Sequence, residues 1–573
     1  MADKKISELT ALTGSSVATD DKLVIVDTSA NLTKNITIDE FKNALDTATG
    51  FVRITGDTMT GGLVAPSLSV DNITIDGTEI DLSSGTLTID AASITLDASD
   101  SISTATAGSN NVKLGANAGN SIASGGNQNV VIGDEAGTAI TTGIENVLVG
   151  YAAGDALTDA DFNVAVGRAS LSTDTLGSKS TAIGQGALNT QNFTTATDTH
   201  NTAVGFFAGL SNTTGTYNTF IGSEAGEANT TGANNTAVGA LALESNTVGT
   251  NNVAVGQASL FENILGSKSI AVGRGTLQNQ NYTTATDAYN TAVGHEAGND
   301  ITTGTNNTLI GGLAGTAMTT GVNNVLVGAL SGDVLTDADY NVAVGHQSLT
   351  SDTKGGSAVA VGYAALFSQN FTTSTDNYNT GVGYNAGGAV TTGLYNTLIG
   401  GLAGDALTDA DDNTAVGVGA LTTDTLGSKS VAVGRGALQT QNFTTAADSN
   451  NTAVGYHAGV SITNGTSNTL FGTQAGDALT DGAENVAVGV QALSSEDGNG
   501  NNTAVGMQAL RDLNAGATGN NVAVGHIAGR LMSTGIQNTL IGASAGDALT
   551  TGSDNVAIGH AALTSDDVGS KST

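Results

Sequence analysis

One short motif recurs along most of this chain. From residue 110 onward the pattern N-[T/V]-[A/L]-[V/I]-G occurs in 26 copies, with Asn at the first position in 22 of them. Of the 25 intervals between motif glycines, nineteen are 17 residues, four are 21, and one each is 18 and 19. A unit this short cannot bury an apolar face alone. The repeat therefore predicts a solenoid in which each unit forms one coil and stacks on its neighbours through β-ladders.

The residues within the motif give predictions for each coil. Alternation along a strand places the residue before the glycine on the same face as the Thr or Val two positions earlier, and we expect this face to be the interior. The position between them is mostly Ala, and we expect it to pack against a second surface such as a neighbouring chain. The glycine suits a tight corner between two short strands, so each coil is predicted to contain two strands. The middle position is Leu at several sites, such as Leu148, Leu309, Leu326, Leu398 and Leu540.

The motif Asn is expected to bond local backbone and to stack with its counterpart one coil away. Ser180, Ser269 and Ser430 replace it in coils that carry the sequence GSKS. A periodic array of ligand-binding sites is the alternative interpretation of the Asn column.

The four 21-residue intervals share a QN-aromatic-TT segment. We interpret its aromatic residue as an anchor that holds the longer loop on the solenoid, with stacking on a sugar as the alternative. These residues are Phe193, Tyr282, Phe371 and Phe443. A longer repeat of 89 residues runs from Gly205 to Gly294 and again to Gly383.

The N-terminal part follows different rules. Residues 63 to 108 carry apolar pairs such as Ile73 and Ile75 every seven residues, separated by Ser, Thr, Asp and Gly. This spacing favours short strands joined by tight turns, and an intertwined triple β-helix is the expected assembly. Residues 1 to about 50 suggest a small mixed domain, with strands at Leu23 to Val26 and Lys34 to Ile38 and a short helix around Asp39 to Leu45.

Composition excludes several classes of function. The formal net charge of -35 disfavours binding to nucleic acid or an anionic membrane surface. No run of 18 apolar residues occurs, so membrane insertion is not expected. The chain has no cysteine, which fits folding in a reducing cytoplasm.

The candidate chemistry is sparse. The repeated DALTDAD segment offers oxygen-rich turns that could hold Ca²⁺, although their spacing matches no established calcium motif, and solvated acidic turns are the preferred interpretation. The candidate calcium ligands are Asp155, Asp159, Asp161, Asp333, Asp337, Asp339, Asp405, Asp409 and Asp411. The six histidines lack zinc-site spacing, and we expect them on the surface. No phosphate-binding loop and no region suited to converging carboxylates is evident, so we expect neither an enzyme nor another cofactor.

Three stretches resemble known families. The opening MADKKISELTAL, followed by DDKLVIVD and TKNITIDEF, is similar to the attachment region of tail fibre proteins of tailed phages, particularly marine myoviruses that infect cyanobacteria. The segment Gly56 to Leu63, GDTMTGGL, resembles a motif that recurs in phage tail fibres. The 17-residue coils resemble the NSVAIG-type coils of trimeric autotransporter adhesin heads, which form a left-handed parallel β-roll from three chains. Coils of that family are shorter, nearer fourteen residues.

Together these observations predict an all-β, fibrous homotrimer. Residues 1–62 form a virion attachment domain that docks on baseplate, tail or neck proteins, 63–108 form a β-stranded trimeric neck, and 109–573 form a β-roll shaft. The chain ends in GSKST, which matches Gly177 to Thr181 and stops before that coil's strand, so we expect further coils and a receptor-binding tip beyond Thr573. The predicted function is a tail fibre, assembled in the host cytoplasm and located in the virion, that mediates host attachment. A cell-surface trimeric adhesin and a polysaccharide-degrading tailspike are the alternatives.

Overall fold

The computed structural model describes Lys22–Asp27, Leu32–Thr37, 108–516 and 518–573, and it divides the chain into the units Met1–Ser99 and Asp100–Thr573. In the first unit, Lys22–Asp27 and Leu32–Thr37 form an antiparallel pair. Both predicted N-terminal strands are therefore confirmed, with bounds shifted by one or two residues. The predicted helix, the GDTMTGGL segment and all but the last residue of the predicted neck lie outside the described residues.

The second unit is a β-solenoid with a three-residue strand in every coil. Each strand pairs in parallel with the strand of the next coil, and equivalent motif positions lie side by side, as Thr202 does with Thr219. Within the described part of this unit there are 26 such strands and no helix. They are Val112–Leu114, Val130–Ile132, Val147–Val149, Val164–Val166, Thr181–Ile183, Thr202–Val204, Thr219–Ile221, Thr236–Val238, Val253–Val255, Ile270–Val272, Thr291–Val293, Thr308–Ile310, Val325–Val327, Val342–Val344, Val359–Val361, Thr380–Val382, Thr397–Ile399, Thr414–Val416, Val431–Val433, Thr452–Val454, Thr469–Phe471, Val486–Val488, Thr503–Val505, Val522–Val524, Thr539–Ile541 and Val556–Ile558.

The prediction of two strands in every coil is wrong. After the motif glycine the chain enters turns, because residues such as Phe207 and Gly209 have φ values of 54° and 59°, which end an extended strand. These turns still bond to the next coil, since the Gly209 N–H donates to the Ala225 carbonyl at 2.9 Å. A second pair of strands occurs only beside the 21-residue intervals. Its members are Gly177–Ser178 with Thr197–Asp198, Gly266–Ser267 with Thr286–Asp287, Gly355–Gly356 with Thr375–Asp376, and Gly427–Ser428 with Ala447–Asp448.

The predicted interior face is also wrong. The middle residue of the strand points inward and is fully buried at Ala203 and Leu148, whereas the residues on either side of it are half-buried or exposed. The middle position therefore lines the inside of its own chain and does not face a second chain. A coil of 17 residues brings its opposite walls close together, and the middle position of the strand is Ala in most coils.

Larger side chains enter the interior where a glycine faces them. Leu148 lies against Gly137 and Gly154, so that a Cβ atom on either glycine would be 2.8 Å from a Leu148 methyl carbon. Phe220 occupies the same position between Gly209 and Gly226. The core keeps its density by pairing large residues with glycine across the coil.

The motif glycine forms the predicted tight corner. Gly239 has φ 136°, and a Cβ atom there would be 2.7 Å from both the carbonyl carbon and the carbonyl oxygen of Gly256 in the next coil. Both the positive φ and the close stacking require glycine.

The motif Asn residues form the predicted ladder. The Oδ1 atom of Asn307 accepts from the backbone N–H of Asn324 at 2.9 Å, and the Oδ1 atom of Asn324 accepts from the N–H of Asn341 at 2.9 Å. The Nδ2 group of Asn324 donates to the Ala338 carbonyl at 2.8 Å. All three side chains are fully buried. The ladder satisfies backbone groups that would otherwise be buried without partners, and it fixes the spacing of successive coils.

Candidate interaction surface

The sheet presents an uncharged outer strip. We define the outer strip as the first and last residues of the 26 three-residue strands. These 52 positions contain only Val, Ile, Leu, Phe and Thr. Several are well exposed, including Ile270 at 41% and Phe471 at 56%. The strip passes through every coil of the described solenoid and combines aliphatic side chains with threonine, and extended patches without charge can mark interaction sites.

Two rows of exposed side chains border the outer strip. The upstream row is the residue five positions before each motif glycine, and the downstream row is the residue directly after it. Upstream residues have left-handed backbone conformations, as Tyr217 does with φ 58°. This conformation turns the chain into the buried Asn and the strand that follow.

Aromatic rings are concentrated in these rows and stack between coils. In the downstream row Tyr363 stacks on His346 at a centroid distance of 5.7 Å and on Tyr384 at 5.5 Å. In the upstream row Tyr378 stacks on Tyr395 at 5.9 Å. Because the rings face each other along the solenoid, they present their edges and hydroxyl groups outward.

Charge is distributed unevenly around the solenoid. Between residues 108 and 573 the chain has 11 Lys and Arg residues, and six of these lie in the two rows. Only five of the 36 Asp and Glu residues of the same segment lie there. The six cationic residues are Arg168, Lys179, Lys268, Arg274, Lys429 and Arg435, and the five acidic residues are Asp134, Glu145, Asp412, Glu484 and Asp554. The outer strip and its rows are therefore close to neutral, whereas the rest of the solenoid is strongly acidic.

The acidic residues singled out as calcium candidates connect neighbouring coils. Asp161 Oδ1 accepts from the Ile144 N–H at 2.8 Å, and Asp339 and Asp411 accept from the equivalent amides of Val322 and Leu394 at 2.7 Å. The other members accept from threonine hydroxyls of an adjacent coil: Asp159 from Thr142, Asp337 from Thr320, Asp409 from Thr392, Asp333 from Thr350 and Asp405 from Thr422.

Asp155 differs from these residues, because its Oδ1 atom is buried without a partner and burial raises the pKa of its carboxyl group. Among the described residues, no three or more His, Cys, Asp or Glu side chains are grouped so that they could hold a metal ion. Calcium binding stays a prediction, and the structure gives most of these carboxylates a role in coil stacking.

The histidines and the loop aromatics lie where the sequence predicted. His200, His295, His346, His526 and His560 are exposed, and His457 is half-buried. The four aromatic residues of the long intervals are buried to between 5% and 8% exposure, as expected of anchors. Tyr282 also donates from its hydroxyl to the Gly304 carbonyl at 2.7 Å.

A buried polar network that sequence reasoning missed lies beside the long intervals. Asp174 is fully buried, and its Oδ1 atom accepts from the N–H groups of Gly177 at 3.1 Å and Phe193 at 3.0 Å. Its Oδ2 atom accepts from Gln191 Nε2 at 2.6 Å, and Gln191 Oε1 accepts from Asn201 at 2.8 Å. The network recurs around Asp352 with Gln369 and around Asp424 with Gln441, and Asn263 replaces the aspartate beside Gln280. The sequence does contain a signal for this network, because the seventh residue after the motif glycine is Asp in one coil and Gln in the next, as in Asp174 and Gln191.

Comparison with known proteins adds no identity. No protein-family model matches the chain, and no curated protein matches it. In the part of the chain that the structure describes, no helix is long and apolar enough to cross a membrane.

Proposed function

We propose that this chain is a structural fibre protein whose solenoids associate side by side through the outer strip. The observation that carries the proposal is the absence of charge from all 52 positions of the strip in a chain of net charge -35. A free surface of such a protein gains solubility from charge at these positions. A surface covered by another copy would lose stability if charges were buried there.

The size of the outer strip supports this proposal. With a spacing of about 4.8 Å per coil, 26 coils give a strip about 120 Å long, and two residue positions make it about 7 Å wide. The resulting area of about 800 Å² is of the same order as what one partner buries in a protein interface of ordinary size. The concentration of acidic residues outside the strip and its rows would keep assembled fibres apart.

Within this class we favour a phage tail fibre in trimeric form. The support is the resemblance of the first 63 residues to tail fibre attachment segments, together with the resemblance of the coils to trimeric adhesin heads. On this proposal residues 1–62 dock on the virion, the solenoid is the shaft, and host recognition belongs to a region farther from the virion. A cell-surface adhesin uses the same shaft and differs in where the N-terminal segment is attached.

The mass of the purified chain in solution tests the assembly. We expect about 170 kDa, three times the 56.4 kDa of one chain. A mass near 56 kDa would contradict the proposal. Electron microscopy should show rods that include a segment on the order of 120 Å long.

Two further measurements separate the candidate functions. An antibody against residues 1–60 should label phage tails, and labelling of cell surfaces instead would favour the adhesin. Incubation with host polysaccharide should leave the length of its chains unchanged. Shortened polysaccharide would favour a tailspike enzyme.

A further inference from the structure

One exposed turn of the solenoid carries a chemically reactive dipeptide. The chain contains two Asn-Gly sequences, Asn464-Gly465 and Asn499-Gly500. In such a pair the glycine nitrogen can attack the asparagine side-chain carbon, because glycine has no Cβ atom to hinder the approach. Asn464 is exposed, whereas Asn499 is buried to 9% exposure and its Nδ2 group donates to Glu496 Oε1 at 2.6 Å. The two pairs therefore differ in how freely the side-chain amide can react.

The fold requires glycine at position 465 and accepts different residues before it. A Cβ atom on Gly465 would be 2.3 Å from the Gly482 carbonyl oxygen in the next coil. The residue before the equivalent glycines is commonly threonine, as at Thr214 and Thr303, and threonine has no amide group that could react. At Asn464 the stacking of coils therefore imposes a glycine directly after an exposed asparagine.

The hydrogen bonds around this turn favour the attack. The Thr480 carbonyl of the next coil accepts from the Thr463 N–H at 2.8 Å and from the Gly465 N–H at 3.3 Å. The second distance lies beyond the usual range, so the Gly465 nitrogen is the more easily released of the two. The Thr463 hydroxyl can donate to the Thr480 carbonyl or to Asn464 Oδ1, which lies 3.2 Å away. Donation to Oδ1 stabilises the negative charge that develops there during the attack.

We propose that Asn464 deamidates spontaneously in the folded protein. The Gly465 nitrogen forms a bond to Cγ of Asn464 and loses its proton, and the side-chain nitrogen leaves as ammonia, which gives a cyclic succinimide. Water then opens this ring at either of its carbonyl carbons, and the product is aspartate or isoaspartate. Both products replace the amide by a carboxylate and add one negative charge to the chain. Water is the only other reactant.

The new charge weakens the contact with the next coil. At the equivalent positions of other coils a threonine hydroxyl donates to a carboxylate one coil later, as Thr320 does to Asp337. Asp481 occupies the position of that carboxylate in the coil after Asn464. Deamidation therefore places two carboxylates at equivalent positions of adjacent coils, where they repel each other. Isoaspartate also lengthens the backbone of the turn by one carbon atom.

The site is separate from the surface proposed for self-association. Asn464 lies eight residues before the motif glycine Gly472, outside the outer strip and outside both rows. It therefore stays accessible to water in the assembled fibre, and the reaction does not depend on the assembly.

Peptide mass spectrometry tests the proposal on the full chain, kept folded in a mildly alkaline buffer and sampled over time. Conversion raises the mass of the Asn464 peptide by about 1 Da. It should be at least about tenfold faster than conversion of Asn499, where the coil must first open. A sample unfolded in urea should lose this difference and serves as the reference for both sites. Asn464→Thr carries the residue of the equivalent coils and should not show the early mass change.

Hydrogen exchange measures the effect on the coil contact. In the converted chain and in Asn464→Asp, the Thr463 amide should exchange faster, while the Thr391 amide, which donates to the Thr408 carbonyl at 2.8 Å in an unaltered coil, should not change. Equal conversion rates of Asn464 and Asn499 in the folded chain would overturn the proposal, as would conversion of Asn464 in the unfolded sample alone. Unchanged exchange at Thr463 after conversion would overturn the loss of coil contact.

Discussion

Most coils of this solenoid are of one of two kinds, which differ at the fourth and seventh residues after the motif glycine; three coils are mixed, with Gly209 and Asn212, Gly226 and Asn229, or Leu510 and Leu513 at these positions. In apolar-core coils the fourth residue after the motif glycine is Gly and the seventh is apolar, as in Gly154 with Leu157. In polar-core coils the fourth residue is Leu and the seventh is polar, as in Leu188 with Gln191. Gly154 and Leu188 have nearly the same backbone, with φ 56° and 48°. The backbone conformation is therefore nearly the same in the two kinds of coil, whereas the side chains that fill the interior differ.

The difference shows how the fold tolerates leucine in a left-handed conformation. That conformation costs a residue with a side chain about 1–2 kcal/mol, and full burial of a leucine contributes about 1.5–3 kcal/mol. Leu188 is fully buried, so the two terms largely offset each other. In the apolar-core coil the Leu148 and Leu157 side chains already fill that volume.

The polar core is linked to the long loops. The Asp174 carboxylate accepts from the Phe193 N–H, so the same buried group closes its own turn and holds the anchor residue of the insertion. Apolar-core coils have no such acceptor, and none of the four 21-residue intervals follows one of them. A buried carboxylate accompanies three of the four long loops, and Asn263 takes its place at the fourth.

The largest effect is expected from Asp174→Leu. Three donors, on Gly177, Phe193 and Gln191, would lose their acceptor, and the free energy of local unfolding should fall by about 3–6 kcal/mol. Hydrogen exchange of the Gly177 and Phe193 amides measures this change. Asp174→Asn keeps one acceptor oxygen and should lose about 1–2 kcal/mol. Equal effects of the two variants would show that the network does not hold the loop.

A double-mutant cycle in an apolar-core coil tests whether the interior side chains of one kind of coil can replace those of the other. Leu148→Ala should lower stability by about 3 kcal/mol through the cavity it leaves, and Gly154→Leu should lower it through overpacking. The double variant should lose at least about 1 kcal/mol less than the sum, because the new leucine enters the vacated space. Additive losses would mean that the two kinds of core are not interchangeable.

The Asn ladder offers a smaller test. Asn324→Ala removes the acceptor of the Asn341 N–H and the donor to the Ala338 carbonyl, so we expect a loss of about 2 kcal/mol. Ala358 occupies the ladder position in a polar-core coil, where Asn377 Oδ1 instead accepts from the Asn379 N–H at 2.9 Å. Faster exchange of the Asn341 amide in the variant, with the Asn379 amide unchanged, is the expected result. Unchanged exchange at Asn341 would count against the ladder's role.

The smallest effect concerns Glu496, a polar-core residue followed by a 17-residue interval. Its Oε1 atom accepts from Asn499, its Oε2 atom is buried without a partner, and burial raises the pKa of its carboxyl group. Because the pKa of this carboxyl group is higher in the folded chain than the unfolded value near 4.5, its protonation favours the folded state. This contribution to stability is fully present below the unfolded-state pKa and is lost as the pH rises through the folded-state pKa.

Glu496→Gln should therefore gain less stability than the unaltered chain when the pH falls from about 7 toward about 4.5, with a change within about 1 kcal/mol. Thermal unfolding at several pH values measures it, with Glu484→Gln as the exposed control. An identical pH dependence of the Glu496→Gln variant and the unaltered chain would contradict the assignment.

The sequence predicts the period, the glycine corner and the Asn ladder, because each depends on one residue type at a fixed position. It does not identify the interior. Alternation separates two faces of a strand but does not say which of them is buried, and the face with Val, Ile and Thr is the outer one. Ala203 is the informative residue, since a small side chain repeated at the middle position of most coils indicates the confined face.

The buried polar network and the upstream and downstream rows are harder to predict from the sequence. The pairing of Leu171 with Asp174 and of Leu188 with Gln191 was visible as a covariation between the fourth and seventh positions after the glycine. The rows become visible only once the coils are stacked, because residues such as Glu145 and Arg168 share no local pattern. The distribution of charge around a solenoid depends on where each residue lies in the cross-section of its coil, and the order of residues along the sequence does not show this directly.

The stacked motif glycines have a consequence for the length of the solenoid. From Gly115 to Gly542 each motif glycine meets the glycine of the next coil, so the contacts of a coil involve its neighbours and not its distance from an end. A block of coils can then recur along the chain without new contacts, as the 89-residue repeat from Gly205 to Gly294 and Gly383 illustrates. An insertion or deletion of whole coils should preserve the fold, whereas one that shifts the phase of the repeat should disrupt it.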